Sequence, residues 1–165
     1  SVPDFRRATV KTSGKRHRSR EIAVQMLYQH DLGGSRLEEI FHGFDGPNLA
    51  RESDERDRKS GSDAPEAITY ARTLVQGAVE HRGRGDELIE EGATNWRIVG
   101  MSAVDRSILR LAVYELLFEG DVPQVVILDE AIELAKRFGS EQSPAFVNGV
   151  LDGLLRRAEL PGSLN

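Results

Sequence analysis

The 165-residue sequence has no cysteine, one tryptophan, three tyrosines and two methionines. Without cysteine there is no disulfide, no thiolate zinc or iron–sulfur site and no thiol nucleophile. Histidine is scarce too: the four stand at positions 17, 30, 42 and 81, and no two fall at metal-ligand spacing. Asp129, Glu130 and Glu133 lack the Glu-x-x-His partner of a di-iron bundle, and the glycines around Gly83 lack the Lys-Ser/Thr of a nucleotide loop. The sequence is therefore expected to be no enzyme and to need no cofactor or metal. Every apolar stretch stops well short of the about 20 residues that cross a bilayer. The opening Ser1-Val2-Pro3-Asp4 carries no secretory apolar segment, so a cytoplasmic location is expected.

What is present is charge, unevenly placed. Lys plus Arg number 22 against 27 Asp plus Glu, a net of -5. The first 20 residues hold seven basic residues and only Asp4 as an acid, which is +6 and leaves -11 for the remainder. Attraction follows local potential, so a basic segment on an acidic body is compatible with a nucleic-acid partner. Solubility alone would also account for a charged terminus.

The apolar pattern is helical throughout. Residues 1–15 read as a mobile basic arm, with Pro3, Gly14 and no apolar period. Ile22, Ala23, Met26, Leu27 and His30 then share one side of a helix that begins near Arg16 and ends at Gly33-Gly34. Arginines at that start would oppose the helix dipole, a cost that a bound polyanion offsets. A short amphipathic turn at Leu37 to Phe41 precedes a flexible internal loop over 43–64, rich in Gly, Pro, Ser and mixed charge.

A second substantial helix covers Pro65 to His81, and Leu88 and Ile89 supply a short one. Trp96, Ile98, Val99 and Met101 lead into the second half. Ser102 followed by Asp105 resembles a capping arrangement for a central helix whose apolar residues, Val104 to Phe118, cover more than one face. Pro123 and Gly139 bracket the next helix, in which the beta-prone Val125-Val126-Ile127-Leu128 is overruled by the longer period. Ser143-Pro144 opens the last, with Phe146, Val147, Val150, Leu151, Leu154 and Leu155 as its stripe. The expected fold is all-α: about six or seven helices in two closely packed bundles, forming a single domain over 16–160 with subdomains 16–94 and 95–160.

Single-stranded RNA asks for positive charge along the backbone and for amides or rings toward exposed bases. Lys15, Arg16, Arg18 and Arg20 run straight into a helix carrying Gln25, Tyr28 and Gln29. Tyr28 has the commoner alternative of a half-buried ring with a wet hydroxyl. Asn148-Gly149 is a poor helix-interior pair, which suits either close helix packing or an exposed binding surface. Arg82 and Arg84 read as solubility charges.

Several linked motifs resemble the NusB family of bacterial transcription antitermination factors. They are Arg20-Glu21, Ala23-Val24-Gln25 and Leu27-Tyr28-Gln29; Val104-Asp105-Arg106 with Ile108 to Ala112 and Tyr114-Glu115-Leu116; Asp121-Val122-Pro123; Asp129 to Lys136 with Phe138-Gly139; and Phe146 to Asp152. The resemblance implies an all-helical fold of two small bundles. It implies binding to boxA-like RNA of nascent ribosomal leaders, pairing with the NusE small-ribosomal-subunit protein, and assembly with RNA polymerase. It associates Lys15, Arg16, Arg18, Arg20, Gln25, Tyr28, Phe146 and Asn148 with RNA, and Asp105 and Phe146 with the protein partner. Ala145 stands where a lysine is common in the family, Asp129 where asparagine is, and Gln142 in a turn where acids are frequent. Some relatives form homodimers; the sequence leaves open whether this chain does. The alternative function is a helical protein-interaction adaptor without sequence-specific RNA binding.

Overall fold

The computed structural model describes residues 3–44 and 64–157, with side chains for 16–44 and 65–157. The described residues form seven α-helices and one 3-10 turn: α1 (Pro3–Gly33), α2 (Leu37–Phe44), α3 (Ala64–Glu80), α4 (Arg82–Gly92), the turn Ile98–Gly100, α5 (Ala103–Phe118), α6 (Gln124–Phe138) and α7 (Ser143–Arg157). The fold is all-α, as the periodicity requires. The beta-prone tetrad lies inside α6, because a full amphipathic period outweighs four local propensities. No helix among the described residues is long and apolar enough to cross a membrane.

The first helix differs from its expected start. Because α1 runs from Pro3, Arg16 and Arg20 sit in its interior, away from the positive end of the dipole, and the dipole argument for a polyanion there does not apply. The expected arm over 1–15 falls largely in this helix, but its side chains, Lys15 included, lie outside the described residues, as does most of the loop expected over 43–64.

The chain divides into two compact units, Ser1–Thr73 and Leu74–Asn165. In the first, α1 packs on α2, and Ser19 Oγ donates to Ala67 O at 3.0 Å, tying α1 to the start of α3. Ile22, Ala23, Met26, Ile40, Phe41 and Ala71 are buried. Arg72 reaches back to α2, its Nη2 donating to Phe41 O at 3.3 Å and its guanidinium lying 5.5 Å from the Phe41 ring centroid.

In the second unit, α5 is the centre. It packs against α4, α6 and α7, and its buried residues 107–109, 111–113 and 115–116 leave it little solvent face. Its N-terminus is capped as the Ser102/Asp105 spacing predicts: the Asp105 amide donates to Ser102 Oγ at 3.1 Å. The sequence reading groups α4 with the first helices, yet its packing partners are α7 and α5. The reason is a close crossing of α4 and α7. A Cβ on Gly153 would stand 2.7 Å from Gly92 O, and one on Gly92 would overlap Val150 O. Two polar ties reinforce it. Arg110 of α5 grips Asp86 of α4 with two bonds, Nε to Oδ1 at 2.9 Å and Nη2 to Oδ2 at 3.1 Å. Arg157 Nη1 donates to Glu91 O at 2.8 Å. At the start of α7, Ser143 Oγ accepts from the Ser140 amide at 2.9 Å, so it braces the preceding turn.

Candidate nucleic-acid interface

The basic segment does not present one uniform face. A helix turns once every 3.6 residues, so residues spaced three, four and seven apart line up. Arg16, Arg20, Ala23 and Leu27 fall on one such line, and this is the core side: Arg20 is 1 % exposed, Ala23 0 % and Leu27 5 %. Arg16 is half-buried, with its guanidinium 5.3 Å from the Tyr70 ring centroid. Arg18, Gln25, Tyr28, Gln29 and Leu32 fall on the opposite line. Tyr28 is 39 % and Leu32 58 % exposed, Gln29 is exposed, and Arg18 and Gln25 are partly so.

The sequence-predicted set therefore splits. Arg18, Gln25 and Tyr28 come together on one accessible face with Gln29, which the sequence reading also named, and with Leu32, which residue-type selection passed over although its seven-residue spacing from Gln25 marks it. Arg20 is set among the core residues, and its charge is not offered to solvent. Arg18 is steadied by Glu21, Nη1 to Oε1 at 3.7 Å, and His17 Nε2 lies 4.0 Å from the same oxygen. Lys15 has no described side chain.

In the second unit, α7 buries Val147, Val150, Leu151 and Leu154 and turns Ala145, Asn148, Gly149 and Asp152 outward. A Cβ on Gly149 would meet nothing within 4 Å, so Asn148-Gly149 is surface and not helix packing. Phe146 is half-buried beside Trp96, with ring centroids 5.9 Å apart and planes at 78°. Trp96 is 54 % and Val99 81 % exposed, whereas Met101 of the same stretch is buried. Asp105, at the start of α5, is half-buried, and its Oδ1 is enclosed without a hydrogen-bond partner among the described residues.

A second aromatic group lies where α3 meets α5 in the same unit. His81 stacks on Phe118 at 4.0 Å, Phe118 on Tyr114 at 5.4 Å, and a Cβ on Gly77 would overlap the Tyr114 ring. Burial raises the Tyr114 hydroxyl above its ordinary pKa, helped by the negative charges of Glu119, Glu115 and Glu80. No group of three or more His, Asp or Glu among the described residues could hold a metal ion.

Comparison with known proteins converges on one family. The NusB family profile matches residues 17–156. The transcription antitermination protein NusB of Myxococcus xanthus is 42 % identical over 139 residues, covering 84 % of this chain and 93 % of that protein. The Geobacter sulfurreducens protein of the same name is 45 % identical over 139 residues, covering 84 % and 92 %. Among solved structures, T. maritima NusB superposes with a TM-score of 0.68 at 38 % identity, covering 90 % of this chain and 96 % of that one. A NusB chain solved with NusE and double-stranded RNA superposes with a TM-score of 0.69 at 28 % identity, covering 87 % and 98 %. With the family profile running from α1 through α7 and relatives more than 40 % identical over most of the chain, this chain belongs to the NusB family.

Proposed function

We propose that the chain is a transcription antitermination factor that binds boxA-like single-stranded RNA in nascent ribosomal RNA and assembles with the NusE ribosomal protein and RNA polymerase. NusB family proteins are non-enzymatic, so the mechanism is assembly. The observation that carries the reading is the accessible α1 face of Arg18, Gln25, Tyr28 and Gln29 within the family match. A cation, two amides and a ring along one helix line meet the needs of single-stranded RNA: Arg18 for phosphate, Gln25 and Gln29 for base edges, Tyr28 for stacking.

We assign RNA contacts to Lys15 and to the half-buried Arg16 from the family resemblance, and Arg20 supports the face from inside α1. Phe146 and Asn148 of α7 add contacts to RNA, and Asp105 and Phe146 contacts to NusE. A relative solved together with NusE and double-stranded RNA supports NusE and RNA as the general types of partner. The setting is the cytoplasm, where the transcript emerges.

The test is a titration of boxA-like and scrambled RNA at several salt concentrations, with and without NusE. Tighter binding of the boxA-like strand, with a salt slope that shrinks in Arg18→Ala, is the expected result. Equal binding of both strands under both conditions leaves the adaptor role in its place. That second reading draws on the acidic second unit, with Phe118 and Val125 exposed at 49 % and 61 %.

A further inference from the structure

Trp96 is a large ring that the fold does not bury, on a loop that the fold holds tightly. The stretch from Ala93 to Met101 has no long helix, yet its backbone is tied at several points. The Trp96 amide donates to Ala93 O at 2.9 Å and the Gly100 amide to Arg97 O at 2.9 Å. Arg106 Nη1 donates to Met101 O at 2.7 Å and to Ile98 O at 3.3 Å, while Glu90 Oε2 accepts from the Ile98 amide at 3.4 Å. The ring packs over this turn, since a Cβ on Gly100 would touch Trp96 Cε3 at 3.9 Å. A rigid loop that leaves its tryptophan 54 % exposed presents the ring instead of using it as core.

The surroundings narrow what the ring meets. Its sequence neighbours Asn95 and Arg97 are exposed and polar, while Val99 of the same loop is 81 % exposed and Phe146 half-buried. Phe146 stands nearly perpendicular to it at 78°, which makes a corner of two aromatic planes. A planar base laid on one ring meets the other at its edge, a favoured arrangement for both contacts. Arg97 is beside it for the phosphate. Glu90, near the end of α4, accepts from the Ile98 amide.

We infer that Trp96, with Phe146 and Arg97, forms a stacking platform for an unstacked base of single-stranded RNA, and that Trp96 contributes to affinity. This rests on the RNA-binding reading above. Trp96 is the only tryptophan of the chain, so its fluorescence reports on the platform without any substitution.

The experiment titrates the full chain with a boxA-like RNA strand, following tryptophan emission and, separately, binding by anisotropy of a labelled strand. The expected result is saturable quenching with the same midpoint as the anisotropy curve, affinity about 10-fold weaker in Trp96→Ala, and recovery of most of it in Trp96→Phe. Binding by anisotropy with unchanged emission, or unchanged affinity in a folded Trp96→Ala, overturns the platform and leaves the RNA-binding reading standing. No anisotropy change at all removes both. Emission that responds only when NusE is added makes Trp96 a protein contact and overturns the platform.

Discussion

The two units solve different problems with the same kind of helix. Residues Ser1–Thr73 carry 13 Lys and Arg against 12 Asp and Glu, whereas Leu74–Asn165 carry 9 against 15. The second unit spends its sequence on packing: α5 is enclosed by three helices, α4 and α7 cross at two glycines, and Arg110 pairs with Asp86. The first unit places charge on both sides of one helix. Arg18 faces outward and Arg20 inward, two residues apart, because two residues turn a helix through more than half a revolution. A cluster of arginines is therefore not one feature. Its members divide into those that can meet a ligand and those that hold the helix, and only the direction of the apolar stripe tells them apart.

Gly153→Ala should show the largest effect and strikes the packing side of the comparison. Its Cβ would meet the Gly92 backbone, which cannot swing aside like a flexible side chain. A loss of about 2–3 kcal/mol is expected in denaturant unfolding, with RNA affinity of the folded protein unchanged. A loss below about 0.5 kcal/mol would mean that α4 and α7 are free to separate.

Arg20→Ala comes next and should behave as a core substitution, costing about 2 kcal/mol of stability through lost packing and lost polar partners. Arg18→Ala is its mirror. Stability should move by less than about 0.5 kcal/mol, while the slope of log affinity against log salt for single-stranded RNA should fall by about 0.7, the value of one phosphate contact. If the two substitutions give the same pair of readouts, the division of α1 into faces is wrong.

The smallest effect sharpens the alkaline limit of the second unit. Tyr114 has a folded-state pKa above its ordinary value, so the folded chain holds this proton more tightly than the unfolded one. That contribution is complete below about pH 10 and declines as pH rises beyond it. Tyr114→Phe should flatten the fall in thermal midpoint above about pH 10. An unaltered profile would place the alkaline sensitivity elsewhere.

Much of this was legible from spacing. The Ser102/Asp105 cap, the end of α6 at Gly139 and the helical state of Val125-Val126-Ile127-Leu128 each follow from patterns within about one or two turns. The exposed Arg18, Gln25, Tyr28 line was also legible, once the apolar stripe of the same helix is used to orient it. Trp96 was not. An apolar stretch such as Trp96 to Met101 looks like core, and nothing local says that Met101 turns in while Trp96 and Val99 stay out. Nor does local pattern say that α4 joins the later helices, because the Gly92 and Gly153 that allow it are 61 residues apart.

By itself the sequence determined the all-helical state, the exclusion of thiol chemistry by the absence of cysteine, and the family, since each depends on residue type and short-range order. The tertiary structure alone decided which of two neighbouring arginines is accessible, that Asn148 and Gly149 are surface, and that the single tryptophan stands half out on a clamped loop. Those depend on which helix covers which, and burial is settled by contacts between residues that the chain brings together only on folding.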